Sequence, residues 1–298
     1  MEGASAARAA SSGVLYLVAT PIGNLGDIGA RALEVLRDVD AILAEDTRHT
    51  QRLLNAYGLS QTLMSLHEHN EAHVTTTIVN RVEAGASFAL VSDAGTPLIS
   101  DPGYRLVSAF AQRGLTVSSV PGACAAIAAL SVSGLACDRF VFEGFLPARG
   151  GGRTRRLATL VCEPRTIVLY EAPHRIETTL ADLVKVLGPD REAVLARELT
   201  KIHETVLRAT LAELTDTVRN DPNQRKGEIV LVLAGYSPPA QDEQANTQAD
   251  QLLNTLLAEL PLKQAVRLAA TITGRPKNDL YTRALALTSD PADQRRSD

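Results

Sequence analysis

A stretch rich in glycine, proline, aspartate and serine follows a short apolar segment in the first third of the chain. Residues 92–103 (SDAGTPLISDPG) come directly after the strand pattern Phe88–Val91 and before a helical pattern at 104–113. Strand, loop and helix in this order are typical of an open α/β sheet, in which ligands bind at the carboxyl ends of the strands. Asp93 and Asp101 can accept hydrogen bonds from hydroxyl or amine groups. We therefore expect a ligand-binding loop, the alternative being an ordinary surface turn.

The same alternation of strand and helix patterns continues along most of the chain. It favours a mostly parallel sheet, covered on both faces, in the first half and a mixed sheet in the second. Predicted strands lie at 14–19, 41–44, near 63, 88–91, 115–120, 140–145, 166–170, 193–197, 205–208 and 229–234. Predicted helices lie at 29–39, through Leu53 and Leu54, and at 72–83, 104–113, 123–130 and 176–186.

The length of 298 residues, 45% of them hydrophobic, is enough for two domains with substantial cores. We expect an N-terminal α/β domain at 14–136 and a C-terminal α/β domain at 137–236. Residues 1–13 lack the apolar segment of a signal peptide and are predicted to be a disordered leader.

A polar segment at 237–250 is predicted to be a linker. A helical tail follows at 251–298, with helix patterns at 252–260, 262–273 and 278–287. The glycine-containing turn at 274–276 is typical of a helix-turn-helix, and equally of a small helical hairpin that packs or dimerises.

Charge and composition exclude several classes of function. The net charge of −4 gives no overall attraction to nucleic acid, so a polyanionic partner requires a local basic patch. The spacing of Cys124, Cys137 and Cys162 fits neither a zinc site nor a disulfide framework, which favours a reducing cytoplasm. No apolar stretch approaches the roughly 20 residues of a membrane span. The dinucleotide fingerprint, the Walker motif and the G-x-S-x-G elbow are absent from the sequence.

Three further motifs end predicted strands, as the loop at 92–103 does. They are VATPIGNL at 18–25, EDTR at 45–48 and YEAPHR at 170–175. In this order, the four motifs resemble the tetrapyrrole-methylase-like superfamily of S-adenosylmethionine-dependent methyltransferases. Within it they are most similar to the family that methylates the ribose 2′-hydroxyl of a decoding-centre cytidine in 16S rRNA. The resemblance runs from about Val14 to Gly235, and the tail is also similar.

This resemblance implies two α/β domains of the tetrapyrrole-methylase type with an interdomain cofactor cleft, plus a small C-terminal helical tail. It implies S-adenosyl-L-methionine as cofactor, 16S rRNA or the small ribosomal subunit as substrate, a homodimer, and a cytoplasmic protein without a membrane anchor. The cofactor-binding positions that it implies are Pro21, Gly23, Asp93, Gly95, Thr96, Pro97, Ala123, Cys124, Tyr170, Glu171, Ala172 and Gly227.

A ribose hydroxyl is a poor nucleophile, and a general base that removes its proton adds about 10²–10⁴-fold to the rate. Candidates for this role are Glu45, Asp46, His67 and Lys201. Asp46 has a structural alternative as the N-cap of the following helix, with Arg48 paired to it.

An RNA substrate requires cations near the cleft. Residues 147–156 are predicted to be a flexible basic loop that supplies most of them. The candidate phosphate-binding residues are Arg48, Arg149, Arg153, Arg155, Arg156 and Arg175.

Two other functions remain open at this point. A tetrapyrrole methyltransferase of the same superfamily would need neither the arginine-rich segment nor the helical tail. A non-catalytic RNA-binding module with a vestigial pocket would not need the intact sequence of residues 93–97 (DAGTP).

Overall fold

The computed structural model of the chain describes residues 13–237 and 240–289, without the side chains of 240–244 and 289. Residues 1–12 of the predicted leader, Pro238 and Pro239 of the predicted linker, and the end of the tail from 290 lie outside the described residues. The chain divides into two compact units, Met1–Tyr236 and Ser237–Asp298, called unit one and unit two below.

The first sheet of unit one is wholly parallel, as the alternating pattern predicts. Its strands are β1 (Val14–Val18), β2 (Ala41–Ala44), β3 (Leu63–Ser65), β4 (Phe88–Val91) and β5 (Thr116–Val120). They lie in the order β3-β2-β4-β1-β5, so the connection from β3 to β4 reverses the direction in which strands are added. The helices are α1 (Ala30–Asp38), α2 (Thr47–Ala56), α3 (Glu71–Glu83), α4 (Tyr104–Gln112) and α5 (Ala125–Ser133).

The second sheet is mixed, also as predicted. Its strands are β6 (Phe140–Phe145), β7 (Thr166–Glu171), β8 (Glu192–Arg197), β9 (Thr205–Thr210) and β10 (Ile229–Leu233). They lie in the order β6-β7-β10-β8-β9, with β6 and β7 parallel and the other pairs antiparallel. The helices are α6 (Gly150–Ala158), α7 (Ile176–Leu187) and α8 (Leu211–Asn220).

Two helices of this half differ from the sequence prediction. The predicted flexible loop at 147–156 is wrong, because α6 begins at Gly150, with buried Leu157 and Arg153 one turn apart on its inner face. Arg153 pairs there with Asp182 of α7 at 2.7 Å. Helix α8 was not predicted, although Thr210 and Glu213 form a capping box that the sequence pattern T-x-x-E signals.

Helix α5 joins the two halves of unit one. It follows the first sheet, yet it packs against β7, β8 and β10 of the second. Ala126, Ala129 and Leu130 are buried against Val168 and Val230. Small side chains let this helix lie close to the second sheet, which brings the strand ends of both sheets to one cleft.

Unit two consists of α9 (Ala240–Leu257), α10 (Leu262–Thr273) and α11 (Lys277–Ser289) around a core that includes Leu253, Val266 and Leu280. The predicted linker is wrong from Ala240 onward, because α9 begins there; its alanine- and glutamine-rich sequence has good helix propensity. Among the described residues, no helix combines the length and apolar character needed to cross a bilayer.

Gly103 ends the loop after β4 with φ of +123°, and a Cβ built on it would lie 2.7 Å from the Leu90 Cδ2 atom. We expect Gly103→Ala to lower the free energy of unfolding by about 1–3 kcal/mol, since both the backbone and the Leu90 packing become strained. Denaturant titration measures this change. Gly151→Ala is the matched control, because no atom beyond its chain neighbours and the backbone of its own helix lies within 4 Å of its Cβ position. It should leave stability unchanged or raise it by up to about 1 kcal/mol; equal losses in both variants would contradict the steric argument.

Candidate active site

The loops after β1 and β4 are joined by their backbones. The Thr20 N–H donates to the Gly95 carbonyl at 2.9 Å, and the Gly95 N–H donates to the Thr20 carbonyl at 3.1 Å. The Thr20 hydroxyl also donates to the Ser92 carbonyl at 3.3 Å. Gly95 has φ of +84°, which a side chain would strain. The two adjacent strand ends therefore present one rigid surface.

The rest of the β4 loop is held in an uncommon conformation. The Thr96 hydroxyl donates to the Ala123 carbonyl at 2.9 Å, which ties the loop to the segment before α5. Leu98 and Ser100 have φ of +72° and +71°, in the left-handed region that non-glycine residues rarely adopt. Such backbone conformations cluster at binding and catalytic sites.

A cavity of about 390 Å³ lies between this loop, the end of β7 and the start of β10. Its size is in the range of small-molecule sites. Seven of the predicted cofactor positions line it: Asp93, Gly95, Thr96, Tyr170, Glu171, Ala172 and Gly227. Asp101, which the sequence marks as a hydrogen-bond acceptor of this loop, also lines the cavity. Further lining residues outside the predicted cofactor positions include Ile22, Ile99, Ala125, Phe145, Ala196, Leu199, Glu228, Ile229 and Val230.

The other five predicted cofactor positions do not line the cavity. Pro21 and Pro97 are buried beside lining residues, and Ala123 accepts the Thr96 hydrogen bond. Cys124 is the N-cap residue of α5. Gly23 packs against Lys201, whose Cγ atom would lie 2.4 Å from a Cβ at this position.

Tyr170 and Glu171 form the opposite wall. The Ala126 N–H donates to the Tyr170 hydroxyl at 3.2 Å, so the first turn of α5 is bound to the second sheet. Burial raises the pKa of Tyr170 and keeps its phenol protonated. The buried Glu171 carboxylate accepts hydrogen bonds from the Thr179 hydroxyl at 2.6 Å and the Ala172 N–H at 2.7 Å. It also pairs with Arg175 at 3.0 Å, so Glu171 orients the loop after β7.

Two aspartates of the β4 loop face the cavity. Asp93 accepts a hydrogen bond from the Asp46 N–H at 3.2 Å. Burial, with a smaller contribution from the Glu45 carboxylate, raises the pKa of Asp101 to about 6. Asp101 was not among the predicted proton acceptors, and only its place in the β4 loop signals it in the sequence.

The predicted proton acceptors have different surroundings. Glu45 is exposed, and its pKa is raised by partial burial and by Asp93. Asp46 is the N-cap of α2, and hydrogen bonding from the Arg48 N–H lowers its pKa, as the structural alternative predicts. Within the described residues, the buried Nδ1 atom of His67 has no hydrogen-bond partner, and this side chain does not line the cavity.

Lys201 does not fit the role of proton acceptor. Its ammonium group pairs with Glu198 at 2.8 Å and with Glu228 at 3.1 Å. Burial opposes the charge, but hydrogen bonds to these carboxylates outweigh it and raise the pKa of Lys201 above its ordinary value. A lysine that stays protonated cannot accept a proton, so these ion pairs do not support Lys201 in that role.

The predicted arginine patch is only partly available. Arg48, Arg149 and Arg155 are exposed. The predictions for the other three residues are not supported, because each is held in an ion pair: Arg153 is buried against Asp182, Arg156 binds Glu143 at 2.7 Å, and Arg175 binds Glu171.

Comparison with known proteins identifies the family. The family described as Tetrapyrrole (Corrin/Porphyrin) Methylases matches residues 14–215, and the RsmI C-terminal HTH domain matches residues 243–288. Ribosomal RNA small subunit methyltransferase I of Pseudomonas aeruginosa is 53% identical over 92% of this chain and 98% of that protein. The chain belongs to the ribosomal RNA small subunit methyltransferase I family. The relative from Synechocystis is 48% identical over 93% of this chain and 99% of its own length.

Solved structures confirm the fold class. Cobalt precorrin-4 methyltransferase has a TM-score of 0.55 and 18% identity, covering 74% of this chain and 94% of that protein. Uroporphyrin-III C-methyltransferase from Thermus thermophilus, solved with S-adenosyl homocysteine, has a TM-score of 0.53 and 19% identity, covering 74% of this chain and 97% of its own. The family resemblance stated from the four strand-end motifs is confirmed by the family match and by the similar methyltransferases above.

The raised pKa of Asp101 predicts a pH-dependent cost to stability. Its carboxyl group binds a proton more tightly in the folded state than in the unfolded state, so its contribution to stability is complete below about pH 4 and is lost as pH rises through about 6. We expect Asp101→Asn to be more stable than the unmodified protein at pH 7.5, by an amount on the order of 1 kcal/mol after solvent screening. Thermal and urea unfolding at pH 4.5 and 7.5 measure it. The exposed Asp38→Asn variant should show no such gain; a gain that does not depend on pH would contradict the assignment.

Proposed function

We propose that this protein transfers a methyl group from S-adenosyl-L-methionine to the ribose 2′-hydroxyl of a decoding-centre cytidine in 16S rRNA. The observation that carries the proposal is the sequence identity of this chain to proteins named ribosomal RNA small subunit methyltransferase I. It is 53% and 48% for the two relatives above and extends over almost the whole length of each protein. The cavity at the strand ends supports it, because seven of the twelve residues that the family resemblance assigns to the cofactor line this cavity.

The residues around the cavity fit this methyl donor. The Asp93 carboxylate suits an amine or ribose hydroxyls, and Ile22, Ile229 and Val230 offer apolar surface to a nucleoside base. When bound, the donor supplies a methyl group on a positively charged sulfonium, which is already activated for displacement.

The chain itself contributes mainly positioning. Because the β1 and β4 loops are joined by backbone hydrogen bonds, the wall that holds the donor moves as one body. Fixing two reactants in line supplies up to roughly 7–11 kcal/mol of the barrier reduction.

Exposed cations supply the contacts to RNA phosphates. Arg48, Arg149 and Arg155 are the members of the predicted patch that are free of strong ion pairs; Arg48 is only weakly paired, at 3.5 Å from Asp46. In the C-terminal unit, Lys263, Arg267 and Lys277 are exposed, whereas Arg275 and Arg283 are paired with Asp279 and Asp250. We infer that the exposed residues of each unit contact the substrate.

We also propose that the protein acts as a homodimer in the cytoplasm. Exposed apolar side chains at Ile127 and Val132 of α5 and at Phe140 of β6 supply surface for a subunit contact. Cys137 and Cys162 are exposed free thiols, which suits a reducing compartment.

The proposed reaction is tested with small ribosomal subunits from cells that lack this protein. Incubation with the purified protein and methyl-labelled S-adenosylmethionine should label 16S rRNA at one cytidine, and the modified nucleotide should resist alkaline cleavage on its 3′ side. Mass mapping of nuclease fragments locates it. Labelling of a free tetrapyrrole instead of rRNA, or a methyl group on a base, would refute the proposal.

The RNA-binding role of the exposed arginines predicts a change in salt dependence. Combined replacement of Arg48, Arg149 and Arg155 by alanine should weaken binding to the small subunit. The slope of log affinity against log salt should become shallower by about 0.7–0.9 for each RNA phosphate that the variant no longer neutralises. Arg113→Ala is the control, because this exposed residue follows α4 at the edge of the first sheet opposite the cavity. An unchanged slope in the triple variant would rule out the patch.

A further inference from the structure

We propose that Phe145 is a substrate-binding residue, whose ring stacks on the cytosine base of the target nucleotide and so positions the attached ribose. This inference rests on the proposed function and adds a contact to its substrate. Phe145 lines the cavity, yet 55% of its surface is exposed. Aromatic rings are among the side chains on which proteins stack unpaired RNA bases.

A β-bulge directs this ring toward the cavity. The register of β6 against β7 shifts between Phe142 and Gly144, which leaves Glu143 as an extra residue in β6. In a regular strand, Phe142 and Phe145 would lie on opposite faces of the sheet, because successive side chains alternate. Both rings instead contact the Tyr170 ring, with centroid distances of 5.0 and 5.6 Å. The bulge therefore places Phe145 on the same face as Tyr170, which lines the cavity.

Two contacts hold the bulge in this form. The Glu143 carboxylate forms a bidentate ion pair with Arg156 of α6, with distances of 2.7 and 2.8 Å. Gly144 has φ of +61°, and a Cβ built there would lie 3.0 Å from the Ser100 Oγ atom of the β4 loop. Glycine therefore lets β6 approach that loop closely, and contacts within the protein fix the position of Phe145.

Phe145 lies at the outer edge of the second sheet, apart from the apolar surface assigned above to the donor. β6 is an edge strand, and Phe145 is its last residue. Ile229 and Val230 belong to β10, which lies on the other side of β7. A donor whose base packs on β10 would leave the Phe145 ring accessible to a second base, that of the substrate.

The segment after Phe145 carries charge that suits a nucleotide. Arg149 is the N-cap residue of α6, Arg155 lies within this helix, and both are exposed. A nucleotide offers a flat base to an aromatic ring and negatively charged phosphates to nearby cations. This combination of ring and cations favours an RNA base over a purely apolar partner.

Stacking on the base constrains the reacting group. The 2′-hydroxyl belongs to the ribose that carries the base, so a fixed base restricts where this hydroxyl lies. Correct placement of two reactants is a large part of the rate of a transfer reaction. The ring also replaces stacking that the target base loses when it leaves its neighbours in the RNA.

The kinetic test compares Phe145→Ala with the unmodified enzyme on small ribosomal subunits from cells that lack this protein. We expect kcat/KM for the subunit to fall by about 5–150-fold, the range for loss of one base–aromatic stack. The dissociation constant for S-adenosylmethionine, measured by calorimetry, should change by less than about threefold.

Matched variants separate stacking from other effects. Phe145→Tyr keeps an aromatic face and should retain kcat/KM within about threefold, whereas Phe145→Leu should lose about as much as the alanine variant. Tyr104→Ala is the control, because this aromatic residue is 75% exposed and does not line the cavity. It should behave as the unmodified enzyme.

A fluorescence test identifies what the ring contacts. The chain has no tryptophan, so Phe145→Trp introduces a single indole at this position. An RNA strand with the sequence around the target cytidine should quench its fluorescence, at concentrations that saturate the protein in filter binding. The same strand with an abasic ribose in place of that cytidine should bind without quenching. S-adenosylhomocysteine alone should also leave the fluorescence unquenched.

Four results would overturn the assignment. They are a kcat/KM of Phe145→Ala within about threefold of the unmodified enzyme, an equal loss in Tyr104→Ala, equal quenching by the abasic strand, and quenching by S-adenosylhomocysteine alone. The last would place the ring in the donor site. Failure of the proposed function is distinguishable, because the unmodified enzyme itself would then leave rRNA unlabelled.

Discussion

A pair of backbone hydrogen bonds between Thr20 and Gly95 is the constraint on which the site depends. It joins the ends of β1 and β4, two neighbouring strands of the parallel sheet, at the edge where open α/β sheets bind ligands. This pairing favours glycine at position 95, because a φ of +84° would be strained for a residue with a side chain. Through this link, Ile22 and Thr96 become parts of one wall of the cavity.

The opposite wall of the cavity depends on helix α5, which follows the first sheet in the sequence but packs against the second. It belongs to the first half by sequence, but its alanines pack on the second sheet, and the Tyr170 hydroxyl accepts the Ala126 N–H. The ends of β7 and β10 are thereby placed opposite the β4 loop. The loop after β4 and the end of β7 are thus held by contacts within the protein. This favours a site that is already formed before the donor binds.

The sequence predicts features that depend on local patterns and misses those that depend on distant partners. Strands and their loops follow from apolar runs bounded by glycine and proline, so both sheets could be predicted. The seven lining residues were predicted from the resemblance of the loop motifs to a known family. Helix α6 could not be predicted, because three glycines open it and the burial of Leu157 and the Arg153–Asp182 pair stabilise it. The raised pKa of Asp101 likewise arises only when folding buries this carboxyl group and brings Glu45 beside it.

The loop after β4 places the carboxylates of Asp93 and Asp101 where a cationic donor would bind. Burial of Asp101 lowers the stability of the folded chain at neutral pH. The central claim is that this cavity, and no other surface, holds that donor. A crystal structure with saturating S-adenosylhomocysteine tests it most directly. The account predicts density for one molecule between residues 93–96 and 170–172; density elsewhere, or an empty cavity at saturation, would contradict it.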